Sequence, residues 1–190
     1  MGHRTPGRRH GHRGPRRPGD RRAERCHGLV QEAAGRPVRH RVHGHTRRCG
    51  GANDRVSDLN NFWNAVDVRS PDDLFATPRG GALAEYDHLK TYYVGYGANA
   101  NTTTRLRRYV GEAGVRPLLY DYTQPLLTAN EPNRVRIVSD GSTVQWWNNG
   151  RPVFDHSDPE PYTSGHFAFR TTWSHFRITG FRVWRLYNHA

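Results

Sequence analysis

The first fifty residues contain no phenylalanine, tyrosine, tryptophan or lysine. A segment so poor in large apolar groups has little to bury, and ordering it costs roughly 1–2 kcal/mol per residue in backbone entropy. Cysteine is almost absent from the whole chain. Cys26 and Cys49 are the only two, too few to define a disulfide framework or a zinc site. No apolar run approaches the ~18 residues of a membrane span, so the reading includes no membrane partner. The arginine pairs near the start are not followed by the apolar stretch of a secretory or twin-arginine signal, which leaves the compartment open. Windows with a convincing 3.6-residue apolar period are missing too, which argues against a helical domain. No cofactor motif is present, and cofactors are expected to be none.

What is present divides sharply. Residues 1–50 carry 14 Arg against Asp20, Glu24 and Glu32, a net of +11 out of the chain's +12. Residues 51–190 are nearly neutral and hold all 21 aromatic residues. Composition therefore predicts a basic Arg/Gly/Pro/His-rich leader over 1–50 and a folded body over 51–190. As an arm, the leader would grip nucleic acid by neutralising phosphates, with steep salt dependence. Such arms usually mix Lys with Arg and adjoin a basic domain, so nucleic acid is an unfavoured partner. As a plain tail it would be solvated. Its Arg, Gly, Pro, His and Ala content fits best with GC-rich DNA read off-frame. Seven histidines fall in the leader (His3, His10, His12, His27, His40, His43 and His45), but without a scaffold they define no metal site.

The body reads as β-structure. "NRVRIVSDGSTVQWWNNGRPVFD" alternates around two tight-turn dipeptides. It predicts strands over Arg134–Ser139, Thr143–Asn148 and Pro152–Asp155, joined at Asp140-Gly141 and Asn149-Gly150. Further strands follow from "VSDLNNFWNAVD", "TYYVGYG", "TTTRLRRYV", "GHFAFRTTW" and "HFRITGFRVWRL". The segment "SPDDLFATPRGGALAEYDHLK" is loop-like, with a helical turn near Ala82 to His88. Seven or eight short strands with regular turns imply an all-β sandwich or jelly roll.

The stretches "NDRVSDLNNFWNAVD", "LKTYYVGYGANANTTTRLRRY", "STVQWWNNGRPVFD" and "GHFAFRTTWSHFRITGFRVWRL" carry a resemblance. From about Gly51 to Leu186 the chain resembles an uncharacterised bacterial group of the concanavalin A-like lectin/glucanase superfamily. Relatives of that group occur beside genes of pectin and rhamnogalacturonan degradation. The resemblance implies a concanavalin A-like antiparallel sandwich whose first strands, normally placed before "NDRVSD", are missing here. It also implies a glycan laid across the concave sheet.

Alternation puts Thr103, Arg105, Arg107 and Tyr109 on one face of their strand, and His166, Ala168, Arg170 and Thr172 on one face of another. Gly95 and Gly97 thin the sheet beside Tyr93. Aromatic rings suit sugar rings, Asn offers donor and acceptor, and Arg matches a carboxylate bidentately. Tyr93, Asn99, Asn101, Arg105, Arg107, Arg170 and His175 are thus the candidate ligand-binding set for an acidic oligosaccharide or polysaccharide. The plainer alternative is that these arginines pair with acids across strands and that the tyrosines are core.

A lyase would use Arg105 or Arg107 to neutralise the uronate, with Tyr93 and His175 as the catalytic acid–base pair. Hydrolysis needs two spaced carboxylates. The superfamily's E-x-D-x-x-E is not matched, since Glu85 and Asp87 are followed by Leu89 and Lys90. Asp155, Asp158 and Glu160 in "DHSDPEP" form an acidic turn without regular Ca²⁺-ligand spacing, so no metal is assigned. Non-catalytic glycan recognition is the leading expectation. Oligomeric state is not encoded in any of these features.

Overall fold

The computed structural model describes residues 27–31 and 38–186 of the 190. Two antiparallel sheets pack face to face. The six-stranded sheet runs β1 (His27–Gln31), β10 (His166–Arg170), β3 (Asn60–Asp67), β4 (Leu89–Gly97), β5 (Thr103–Val110), β6 (Leu118–Tyr122). The five-stranded sheet runs β11 (Phe176–Arg185), β2 (Val38–Thr46), β7 (Pro132–Ser139), β8 (Thr143–Asn148), β9 (Arg151–Ser157). The expected all-β, jelly-roll sandwich is what forms.

The meander over β7, β8 and β9 follows the predicted alternation. Asn149 and Gly150 both have positive φ (47° and 84°), as a type I′ loop requires. The other loop differs from a two-residue hairpin. Asp140 folds its carboxylate back to accept hydrogen bonds from Ser142 N and Oγ and from Thr143 N and Oγ1, at 2.6–3.0 Å. Burial opposes its ionisation, but the bonds from Thr143 and Ser142 outweigh that and bring its pKa down to about 2.

The boundary at Gly51 needs correction. Val38–Thr46, inside the supposed leader, is the second strand of the five-stranded sheet, between β11 and β7. Its side chains alternate: Val38, His40, Val42 and Thr46 are buried, while Arg39, Arg41, His43 and His45 face outward. Val42 packs in the inter-sheet core, and the His40 ring stacks on Phe167 at 4.9 Å. A strand needs only alternate apolar positions, and the arginines and histidines between them hid that pattern. Two strands, β1 and β2, therefore stand before "NDRVSD", where the sequence reading expected none. The remainder of the leader reading, at residues 1–26 and 32–37, lies outside the described residues.

The sandwich has two apolar layers. Between the sheets lie Val42, Trp63, Tyr92, Val94, Leu106, Ile137, Trp146, Phe154 and Phe167. On the outer face of the six-stranded sheet a second cluster, including Phe62, Tyr93, Tyr109 and Ala168, is covered by the loop that joins β3 to β4 through Leu74 and Tyr86. That loop carries 3-10 turns at Leu74–Ala76 and Leu83–Tyr86. Being covered on both faces, β4 is buried at every position but Lys90.

Candidate functional site

A depression of about 340 Å³ remains on that outer face beside the covering loop. Its lining includes Tyr93, Asn99, Arg105, Arg107 and Arg170. Five of the seven candidate residues thus converge there. Arg105 and Arg107 come from β5, Arg170 from β10, and Tyr93 from β4, whose pleat turns all four to the outer face. Asp58, Leu83 and Arg116 also line it. They come from loops and carry no motif, so nothing in the sequence marked them.

The four arginines differ in partners. Arg105 donates to Asp121 Oδ2 and Thr103 Oγ1, both at 3.0 Å. Arg116 makes a two-point pair with Asp87, at 2.5 and 3.0 Å. Asp58 is engaged by Arg55 at 2.6 Å and by Ser57 Oγ at 2.9 Å. Arg107 donates to the Arg116 carbonyl at 2.6 Å, and Arg170 to the Gly81 carbonyl at 2.9 Å. Among the described residues, Arg107 and Arg170 have no carboxylate partner. The expected cross-strand pairing with an acid holds for Arg105 and fails for these two, so the depression keeps two uncompensated cations.

Tyr93 lies beneath them, 4% exposed, and its hydroxyl has no hydrogen-bond partner among the described residues. Burial pushes its phenol up, as does the neighbouring Tyr109, while Arg170 and Arg107 only partly oppose the shift. The shift favours the neutral phenol, which can donate a hydrogen bond. Burial likewise raises Tyr109, to about 12.

The remaining candidates have other roles. Asn101 braces the chain: its amide donates to the Leu127 carbonyl at 2.8 Å and its carbonyl accepts from Leu127 N at 2.9 Å. His175 is exposed and does not line the depression; its backbone carbonyl accepts from Arg47 N at 2.8 Å. The Tyr93–His175 acid–base pair therefore does not assemble. The loop after β10 turns at Trp173 (φ 55°), which carries His175 away from the face that Arg170 occupies. Glu85 and Asp87 are also structural, bonded to Gly81 N and to Arg116. Asp158 of the acidic turn is taken by Tyr92 and Arg108, at 2.6 and 2.8 Å.

The two glycines do not open the sheet to a ligand. A Cβ on Gly95 would meet the Tyr93 ring and hydroxyl at 3.2 Å, so Gly95 makes room for that ring. Gly97 (φ 66°) begins a left-handed turn through Asn99, Ala100 and Asn101, which places Asn99 at the rim. A Cβ on Gly97 would lie 2.6 Å from Leu127 Cδ1 and 2.7 Å from Asn101 Oδ1. Gly97→Ala is expected to cost about 1–3 kcal/mol, measured as a lowered urea midpoint. An unchanged midpoint would show that the turn is not needed.

In fold the chain is similar to a Bacillus subtilis protein of unknown function with a galectin-like fold, at 20% identity and TM-score 0.63, over 83% of this chain and 76% of that one. It is also similar to the carbohydrate-binding module CBM66 from Bacillus subtilis, at 11% identity and TM-score 0.50, over 83% and 81%. The exoplasmic/lumenal domain of VIP36, in its Ca²⁺/Man-bound form, aligns at 11% identity and TM-score 0.58, over 86% and 75%. No curated protein matches the chain. The family model that matches begins at residue 37, immediately before β2, and ends at residue 181. Over that span the chain belongs to the family described as Domain of unknown function (DUF6250).

Proposed function

We propose that this protein recognises glycans through the depression on its six-stranded sheet, and that the ligand presents a carboxylate, as in acidic polysaccharides of the pectin or rhamnogalacturonan type. The observation that carries this is the pair Arg107 and Arg170, without acidic partners, beside the protonated hydroxyl of Tyr93. Two guanidinium groups and a phenol donor match a carboxylate and an adjacent sugar hydroxyl. Two proteins of similar fold support a sugar ligand, one a carbohydrate-binding module and the other in mannose-bound form. Binding is favoured over cleavage because no histidine lines the depression among the described residues, so Tyr93 has no acid–base partner there.

The test is calorimetric titration with short oligogalacturonides and with neutral oligogalactosides of equal length. Only the charged series is expected to bind. Arg107→Gln is expected to weaken it about 10- to 100-fold, the loss of one hydrogen bond to a charged group. Arg107 is half-buried and donates only to a carbonyl, so the melting temperature should hold. Equal binding of neutral sugars, or indifference to Arg107→Gln, would refute the reading.

A further inference from the structure

The opposite side of the molecule carries a separate charge pattern. Register places Arg182 of β11 directly against Arg41 of β2, Arg41 against Arg136 of β7, and Arg136 against Trp147 of β8. Three arginines thus stand in a row across adjacent strands, at the ~4.8 Å spacing of a sheet. Arg39 and Arg134 flank the row on β2 and β7, on the same outward-facing side. None of these five forms an ion pair with a described residue. Asp155, on β9, is engaged by Gln145 at 3.0 Å.

Like charges directly opposite each other in a sheet are destabilising, and an unneutralised row of them is relieved by an anion. Arg136 shows the crowding: burial lowers its pKa, and repulsion from Arg39 and Arg41 lowers it further. A shallow concavity of about 480 Å³, lined by Arg41, His43, Arg134, Arg136 and Trp147 among others, lies over the β2–β8 part of the row.

We propose that the outer face of the five-stranded sheet is a second, extended anion-binding surface that takes a polyuronate chain lying across β11, β2, β7 and β8. A linear polymer with one carboxylate per sugar presents charges in file, as the row does. Single-stranded nucleic acid fits less well, because it also needs free aromatic faces on which bases stack. The Trp147 ring lies under the Arg136 guanidinium at 3.7 Å, and the Trp184 ring under Arg41 at 5.4 Å, so those faces are taken. The row itself is built of arginine, which holds carboxylates through two parallel N–H donors, and His43 lines the same concavity. This surface shares no residue with the depression and stands whether or not the depression binds sugar.

The experiment uses the full chain with Arg107→Gln as background, so that binding at the depression is weakened, and long polygalacturonate and poly(dT) as probes. Polygalacturonate is expected to bind this background, with affinity that falls as salt rises. Adding Arg41→Gln and Arg182→Gln should weaken it at least ~10-fold and flatten the salt dependence. The melting temperature should not fall, since two mutually repelling charges are removed. Unchanged polygalacturonate affinity in the added variants, or no binding by the background, would overturn the proposal. Tighter capture of poly(dT) than of polygalacturonate would also overturn it and make the face a nucleic-acid surface. Failure of the depression reading would show separately, as no binding of short oligogalacturonides by the unaltered protein.

Discussion

A chain that begins at Gly51 is expected not to fold, whereas one that begins at Pro37 keeps a cooperative transition. The first truncation removes β2, which pairs with β7 at eight positions and with β11 at eight more. Without it β11 has no neighbour in its sheet, and the inner faces of β3 and β10 lose part of their cover. Val38 and Val42 are each at most 4% exposed, and losing each buried aliphatic side chain forfeits roughly 1.5–3 kcal/mol; the buried His40 ring, stacked on Phe167, goes with them. The broken ladder adds unpaired backbone groups on two strands, each costly if it stays buried. Against the ~5–15 kcal/mol that holds a domain together, these losses leave no folded state. The Pro37 chain keeps the five-stranded sheet whole and forfeits only β1, at the edge of the other sheet. Near-ultraviolet circular dichroism and urea titration distinguish the two. A cooperative urea transition in the Gly51 chain would show that β2 is dispensable.

That comparison also marks where the sequence could be read and where it could not. The β7–β9 meander was legible because its turns have backbone demands that few residues meet and its alternation is uninterrupted. β2 was not, because "VRHRVHGHT" spends its outward positions on charge and needs only three or four buried groups inward. Composition averages the two faces of a strand, so a half-basic strand looks like a basic tail. The site divides along similar lines. Arg105, Arg107, Arg170 and Tyr93 were accessible because the period of two assigns strand faces. Asp58 and Arg116 reach the depression through loop paths, and His175 leaves it through one. Periodicity says nothing of loops, and the partners that separate Arg105 and Arg116 from Arg107 and Arg170 are set by those paths.

Asp67→Ala is expected to destabilise the protein by about 3–5 kcal/mol, the usual cost of removing one partner of a buried ion pair. Asp67, at the end of β3, has a fully buried side chain. Its carboxylate accepts from Arg69 N at 2.9 Å, Nε at 3.0 Å and Nη2 at 2.7 Å, and pairs with Arg79. Arg79, only 9% exposed in its side chain, in turn donates to the carbonyls of Leu74, Thr77 and Glu85. Asp67 thereby fixes the loop that covers the outer aromatic cluster. Without it, Arg79 is a buried charge with only carbonyls for company.

The same carboxylate makes stability depend on pH. The Arg69 side-chain hydrogen bond, against the opposing effect of burial, holds its pKa below the usual carboxylate range, with Arg79 contributing. A carboxyl group with a lowered folded pKa contributes stability that is fully present above its unfolded value, about 3.9, and is lost as pH falls through the folded value. Asp87, Asp140 and Asp158 shift in the same direction. Urea midpoints should therefore be insensitive to these groups from about pH 5 upward and fall steadily below about pH 4. In Asp67→Ala the midpoint should be lower at neutral pH and its decline with acid shallower, since unfolding of the variant takes up one proton fewer in the acid range. Parallel curves for the variant and the unaltered protein across the acid range would mean that Asp67 does not hold its charge in the fold, and that the loop over the outer cluster is anchored by other contacts.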